Sequence, residues 1–177
     1  MKSIRRFGVP AAASLAVLLS AASPAGAQAA PKKNWTPPAQ KIHAQALADE
    51  TMAKHPELLS VTFHGVPPGE HDVYTMFAGS YPERIGNPDD PDDIDVSKKG
   101  ITIIDPRWRR TNDTVKKFVV LEPLRDKAGQ NLGLIVYAFK TDMGNRGERK
   151  YAAAAMDLRD QLQARISSYA ALFAPVK

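Results

Sequence analysis

Leu59, Val61 and Phe63 alternate with Ser60, Thr62 and His64, a period of two that predicts a strand with one apolar and one polar face. Residues 65–69, with two glycines and two prolines, form a wide turn, and Val73 to Gly79 returns as a second strand. Ile101 to Asp105 predicts a third strand. Phe118 to Leu124 and Leu132 to Phe139 predict the fourth and fifth, joined as a hairpin across Arg125 to Gln130, where Asp126 and Gly129 suit tight backbone geometry.

The period changes at both ends. Thr36 before Pro37 has the form of a helix start, and Ala39, Ile42, Ala46 and Ala53 recur at helical spacing until His55-Pro56. After a break at Gly144 to Gly147, the residues Tyr151, Ala155, Leu158, Leu162, Ile166, Tyr169 and Phe173 fall at steps of three and four, which predicts one long helix. The stretch Pro82 to Lys99, crowded with proline, aspartate and glycine, predicts a long loop with a short helix at Asp92 to Lys98. Helices outside consecutive hairpin-linked strands give an α+β layer arrangement: an antiparallel five-stranded sheet with a long helix at each end.

Residues 1–29 have the three-part layout of a secretory signal peptide. Lys2, Arg5 and Arg6 precede an apolar run from Val9 to Ala22, and Ala25-Gly26-Ala27 or Ala27-Gln28-Ala29 offers a peptidase site. The run is shorter than the ~20 apolar residues a membrane span needs. Residues 30–38, rich in proline and lysine, are expected to be a flexible tether, and 39–177 to be one domain. The leader is basic without acidic residues, so its removal leaves 21 of the 24 Lys and Arg against 19 Asp and Glu. Near-balanced charge takes away the compositional support for nucleic-acid binding. With no cysteine, the exported domain must be held by its core, and thiolate catalysis and Cys-based metal sites are excluded.

Two patches carry a family resemblance. Ser80-Tyr81-Pro82-Glu83-Arg84-Ile85-Gly86, with Lys99-Gly100 downstream, is similar to the Ser-His-Pro…Arg-Ile-Gly turn of PAS-like extracellular sensor domains called Cache domains, including those of bacterial receptors for citrate and four-carbon dicarboxylates. Pro123-Leu124-Arg125-Asp126…Gly129…Leu132-Gly133 is similar to the Pro-Ile-x-Asp…Gly…Ile-Gly hairpin of the same domains. The resemblance spans about Thr36 to Phe173. It implies a PAS/Cache-like, non-enzymatic, periplasmic sensor domain that binds a small molecule between the sheet and the loop from Tyr81 to Asp95. The positions of the receptors' two ligand-clamping arginines are Ala78 and Val119 here, and the ligand histidine of their turn is Tyr81. Without a guanidinium fork in those places, the departures from the family pattern imply a smaller, more apolar ligand than a dicarboxylate, or none. The last predicted helix leads only to Pro175 and Lys177, so a signal is expected to pass through a membrane receptor or transporter.

The candidate ligand-binding residues are His64, Tyr74, Met76, Tyr81, Arg84 and Arg107, a mostly apolar set with a few polar groups, as small-molecule sites tend to be. Residues 89–95 hold five aspartates, but their Asp-Asp-Pro-Asp-Asp order lacks EF-hand spacing, and a solvated acidic loop is expected, with no metal or cofactor assigned. Lys98, Lys99, Arg107, Arg109, Arg110, Lys116 and Lys117, with Trp108, make a basic stretch beside it. No His-Glu-x-x-His, Gly-x-Ser-x-Gly or phosphate-loop motif accompanies His43, His55, His64 and His71. Two other classes stay open: an envelope interaction protein with no cavity, and a metal- or haem-associated protein using His64, Met76 and Tyr81.

Overall fold

The central alternation folds into strands β1 (Leu58–Gly65) and β2 (Thr75–Gly79), and the later apolar segments into β3 (Ile103–Pro106), β4 (Lys117–Arg125) and β5 (Asn131–Lys140). Helices α1 (His43–Lys54) and α2 (Pro91–Lys99), a 3₁₀ turn at Pro82–Arg84, α3 (Glu148–Gln163) and α4 (Tyr169–Leu172) complete the order. The computed structural model describes residues 31–107, 115–141 and 147–176. The expected leader, most of the break at 144–147, and Trp108, Arg109, Arg110 and Asp113 of the basic stretch lie outside the described residues. All pairings are antiparallel, in the order β2-β1-β5-β4-β3, so the antiparallel five-stranded sheet of an α+β arrangement expected from the sequence is the one observed. Among the described residues, no helix is long and apolar enough to cross a membrane.

Strand alternation divides the side chains between two covered faces. Val61 and Phe63 of β1, Phe77 of β2, Phe118, Val120 and Leu124 of β4, and Ile135, Tyr137 and Phe139 of β5 pack against Leu47 of α1, Tyr151, Ala155, Leu158 and Leu162 of α3, and Leu172 of α4. Each such apolar side chain contributes roughly 1.5–3 kcal/mol when fully buried. On the other face, Val96 of α2 packs on Val119, Leu121, Leu134 and Ala138. Ser60, Thr62 and His64 are therefore buried too, each about 5–6% exposed, although their polarity predicted a solvent face. A register irregularity between Leu58 and Ser60 turns Leu58 into the main core, while Leu59 packs with the second cluster.

Two helix expectations differ from the structure. The N-terminal helix starts at His43, not near Pro37, because the preceding chain is held extended: Asn34 N–H donates to the Gly86 carbonyl at 2.9 Å, Asn34 Nδ2 to the Tyr74 carbonyl at 3.0 Å, and Ile42 bridges to Pro175. Trp35 of the stretch expected as a tether packs edge-on against Phe173 at 6.3 Å. The long C-terminal stripe is divided into α3 and α4. Between them the Ile166 carbonyl accepts the Lys127 N–H of the β4–β5 turn at 2.8 Å, and Ser168 Oγ caps α4 by accepting from Ala171 N at 3.2 Å.

A cavity between the sheet and the acidic helix start

A strand at the edge of a sheet leaves unpaired backbone groups that must find partners. For β2 these come from the segment after the 3₁₀ turn, which runs along its outer edge as a strap. Gly86 N donates to the Met76 carbonyl at 2.8 Å, Met76 N to the Asn87 carbonyl at 3.2 Å, and Asp89 N to the Tyr74 carbonyl at 3.1 Å, with Thr75 and Pro88 bridged. Gly86 makes the strap feasible. Its φ is +87°, and a Cβ there would run into the Trp35 carbonyl oxygen.

The strap ends by delivering Asp89 to β1, where the pairing with β2 is irregular between Phe63 and His64. Asp89 Oδ1 lies 2.7 Å from His64 Nδ1, and His64 Nε2 lies 2.7 Å from Thr62 Oγ1. The Asp89 side chain is wholly removed from solvent, yet its Oδ2 has no hydrogen-bond partner among the described residues. Asp90 then caps α2 in a reciprocal capping box, Asp90 N donating to Asp93 Oδ2 at 3.2 Å, which turns Asp93 back to within 4.0 Å of His64 Nδ1. Burial, with the neighbouring Asp89 and Asp92 charges, pushes the Asp93 carboxyl above the usual range, while His64 and the Asp90 N–H act against that. At its far end α2 stops on Gly100 (φ +64°) and is tied to the hairpin by Asn131 Nδ2 donating to the Ser97 carbonyl at 2.7 Å.

Above this corner lies a cavity of about 160 Å³. Ser60, Thr62 and His64 form one wall, Val119, Leu121, Val136 and Ala138 the floor, and Tyr81, Arg84, Asp90, Asp92, Asp93, Arg107 and Lys117 the rim. Of the residues singled out from the sequence, His64, Tyr81, Arg84 and Arg107 meet here. Tyr74 lines a different depression with Gly65, Ser97 and Tyr169, its ring 5.0 Å from Lys98 Nζ. Met76 is buried and holds the strap through its backbone; its side chain is not part of the cavity lining.

The lining is charged where the resemblance implied an apolar ligand. Of the two positions that are arginines in the dicarboxylate receptors, Val119 lies on the floor, whereas Ala78 belongs to the core of the opposite face. Cationic groups reach the cavity from elsewhere: Arg84 from the 3₁₀ turn, stacked 5.6 Å from the Tyr81 ring centroid; Arg107 from just beyond β3, with Nε 2.6 Å from Asp105 Oδ2; and Lys117 from the first position of β4. Ser60, Thr62, Asp89, Asp93 and Lys117 were not among the candidate ligand-binding residues, although the aspartates and Lys117 belong to the acidic loop and the basic stretch read from the sequence. The signal for the first two was the polar register they share with His64.

No family model matches this chain, and no curated protein matches it. Among solved structures, the E. coli DcuS sensor domain is similar to it, with a TM-score of 0.38 and 15% sequence identity over 68% of this chain and 72% of that one.

Proposed function

We propose that this chain is an exported, periplasmic, non-enzymatic sensor-like domain that binds a compact polar molecule over β1, β4 and β5 and works with a membrane receptor or transporter. One observation carries the reading: the cavity is lined by Arg84, Arg107 and Lys117 together with Asp90, Asp92 and Asp93 and by the apolar Val119, Leu121, Val136 and Ala138. A few convergent polar groups around an apolar patch are the usual make-up of a small-molecule site. Its size argues for a small ligand, since 160 Å³ lies below the roughly 300–1,000 Å³ of sites for drug-sized molecules. A short carboxylate carrying an amine or hydroxyl matches both signs of charge. The carboxylate meets the guanidinium groups, which favour it by charge-assisted hydrogen bonds. The amine or hydroxyl meets the aspartates.

A thermal-shift screen of the exported chain against amino acids and short hydroxy-carboxylates tests this. A ligand at about 100 times its Kd stabilises the folded form by ~2.7 kcal/mol, a rise of roughly 5–11 °C for a domain of this size. Arg84→Ala and Lys117→Ala should abolish the rise while leaving the ligand-free melting point nearly unchanged. A flat screen would instead favour an envelope protein that interacts through its surface. An affinity indifferent to both substitutions would move the site elsewhere.

A further inference from the structure

The buried corner beneath the cavity has a composition that small-molecule binding does not require. The side chains of His64, Asp89 and Asp93 each place one ligand-capable atom within 4.8 Å of the others. Two carboxyl groups face one imidazole there. The Asp89 carboxylate is fully buried with Oδ2 unpartnered among the described residues, and such an atom calls for an ion or water. The geometry points to a divalent transition-metal site, of the zinc type, formed by His64 Nδ1 and the carboxylates of Asp89 and Asp93.

The donor set selects the metal class. Calcium takes six to eight oxygens, whereas zinc accepts imidazole nitrogen with carboxylate oxygen in four-coordinate sites and tolerates three protein ligands with an open position. Donors bound tetrahedrally at ~2.1 Å stand about 3.4 Å apart. The pairs here, 2.7 Å from His64 Nδ1 to Asp89 and 4.0 Å to Asp93, bracket that spacing, and the two carboxylates lie within 4.8 Å of each other, so small side-chain shifts would admit the ion. The outer shell is in place as well. His64 Nε2, left free to carry the proton when Nδ1 binds metal, lies 2.7 Å from Thr62 Oγ1, which fixes the ring and its tautomer. A divalent ion neutralises both aspartates, and its fourth position opens onto the cavity that His64 and Asp93 line. The exposed group Asp90, Asp92 and Asp93 offers only oxygens and shares a single residue with the corner.

Calorimetric titration of the full exported chain with Zn²⁺ alone, after chelator treatment, is the test. One ion per chain is expected, with affinity that weakens in acid because protons compete for the ligand atoms. Asp93→Asn keeps an oxygen that can accept the Asp90 N–H, so α2 should still start, yet affinity should fall at least tenfold. His64→Gln should have a similar effect, with far-UV circular dichroism reporting its folding. Absence of binding at 1 mM Zn²⁺, or affinities within twofold of wild type in folded Asp93→Asn, would overturn the assignment. This site does not rest on the organic ligand: zinc binding with a flat metabolite screen would uphold it while removing the small-molecule reading.

Discussion

Glu122 provides the sharpest test of how this fold is balanced. It sits in β4 opposite Ile135, on the face that carries Val120 and Leu124 into the main core, and it is fully buried. Among the described residues neither carboxylate oxygen has a hydrogen-bond partner, nor does the hydroxyl of buried Tyr137. Burial is the main cause that raises its pKa from 4.5 to about 7, with Arg159 of α3 opposing the shift and Asp160 adding to it. Below pH 4.5 the group is protonated in both folded and unfolded chains and has no effect. As pH rises through 4.5 the unfolded chain ionises first, so stability falls until the folded carboxyl ionises near 7 and is level above that. At 1.36 kcal/mol per pH unit the loss reaches about 3 kcal/mol. Glu122→Gln removes the ionisation but keeps the shape and the unpartnered polar group. Wild type and variant should therefore have matching urea midpoints at pH 4.5 and diverge to about 3 kcal/mol at pH 8, a melting-point gap of roughly 6–12 °C in favour of glutamine. Curves that stay parallel across this range would refute the argument and mean that the carboxylate is solvated or paired when folded.

Three further outcomes follow from local contacts. Arg165 and Lys54 hydrogen-bond Glu50 and hold its pKa down at about 2, so this group's contribution is present above 4.5 and is lost as pH falls toward 2; Arg165→Ala should flatten that acid limb in denaturation measured from pH 5 to 2. Gly86→Ala should lower the melting point by at least about 4 °C, since a left-handed residue with a side chain costs roughly 1–2 kcal/mol before its clash with Trp35 is added. Asn131→Ala removes the bond to the Ser97 carbonyl; a loss of about 1 kcal/mol, with faster amide exchange in α2 than in β4 or β5, is expected by hydrogen-exchange mass spectrometry.

The sheet was legible because period-two patterning and turn chemistry act locally. Residues 118–124 and 132–139 form the expected hairpin, extended by one residue at each strand end. What local pattern could not convey was long-range competition for backbone groups. Of the predicted C-terminal stripe, Tyr151, Ala155, Leu158, Leu162 and Ile166 are buried and Tyr169 and Phe173 half-buried, yet α3 ends at Gln163 and the Ile166 carbonyl beyond it accepts the Lys127 N–H. The same limit applies at the cavity. His64, Tyr81, Arg84 and Arg107 stood out as chemically capable residues, but Asp89 read as one more aspartate of a solvated loop. Its burial depends on which residues pair with the edge of β2, and an alternation pattern holds no record of that.

That edge explains why stability and the candidate site share parts. The outer groups of β2 need partners whatever the protein binds, and the strap supplies them only if its chain can turn at Gly86 with positive φ beneath the Trp35 carbonyl. Once the strap is fixed, Asp89 falls beside His64, Asp90 starts α2, and the cap turns Asp93 inward. A buried carboxyl group at that point, with one oxygen unpartnered among the described residues, opposes folding, because burying a polar group without a full set of partners is unfavourable. The fold keeps it although an apolar residue would satisfy the edge equally well, since the bond to the Tyr74 carbonyl uses only the Asp89 backbone. The side chain at 89 is thus free of any duty to the edge, and its remaining contact is with His64 in the corner that opens on the cavity.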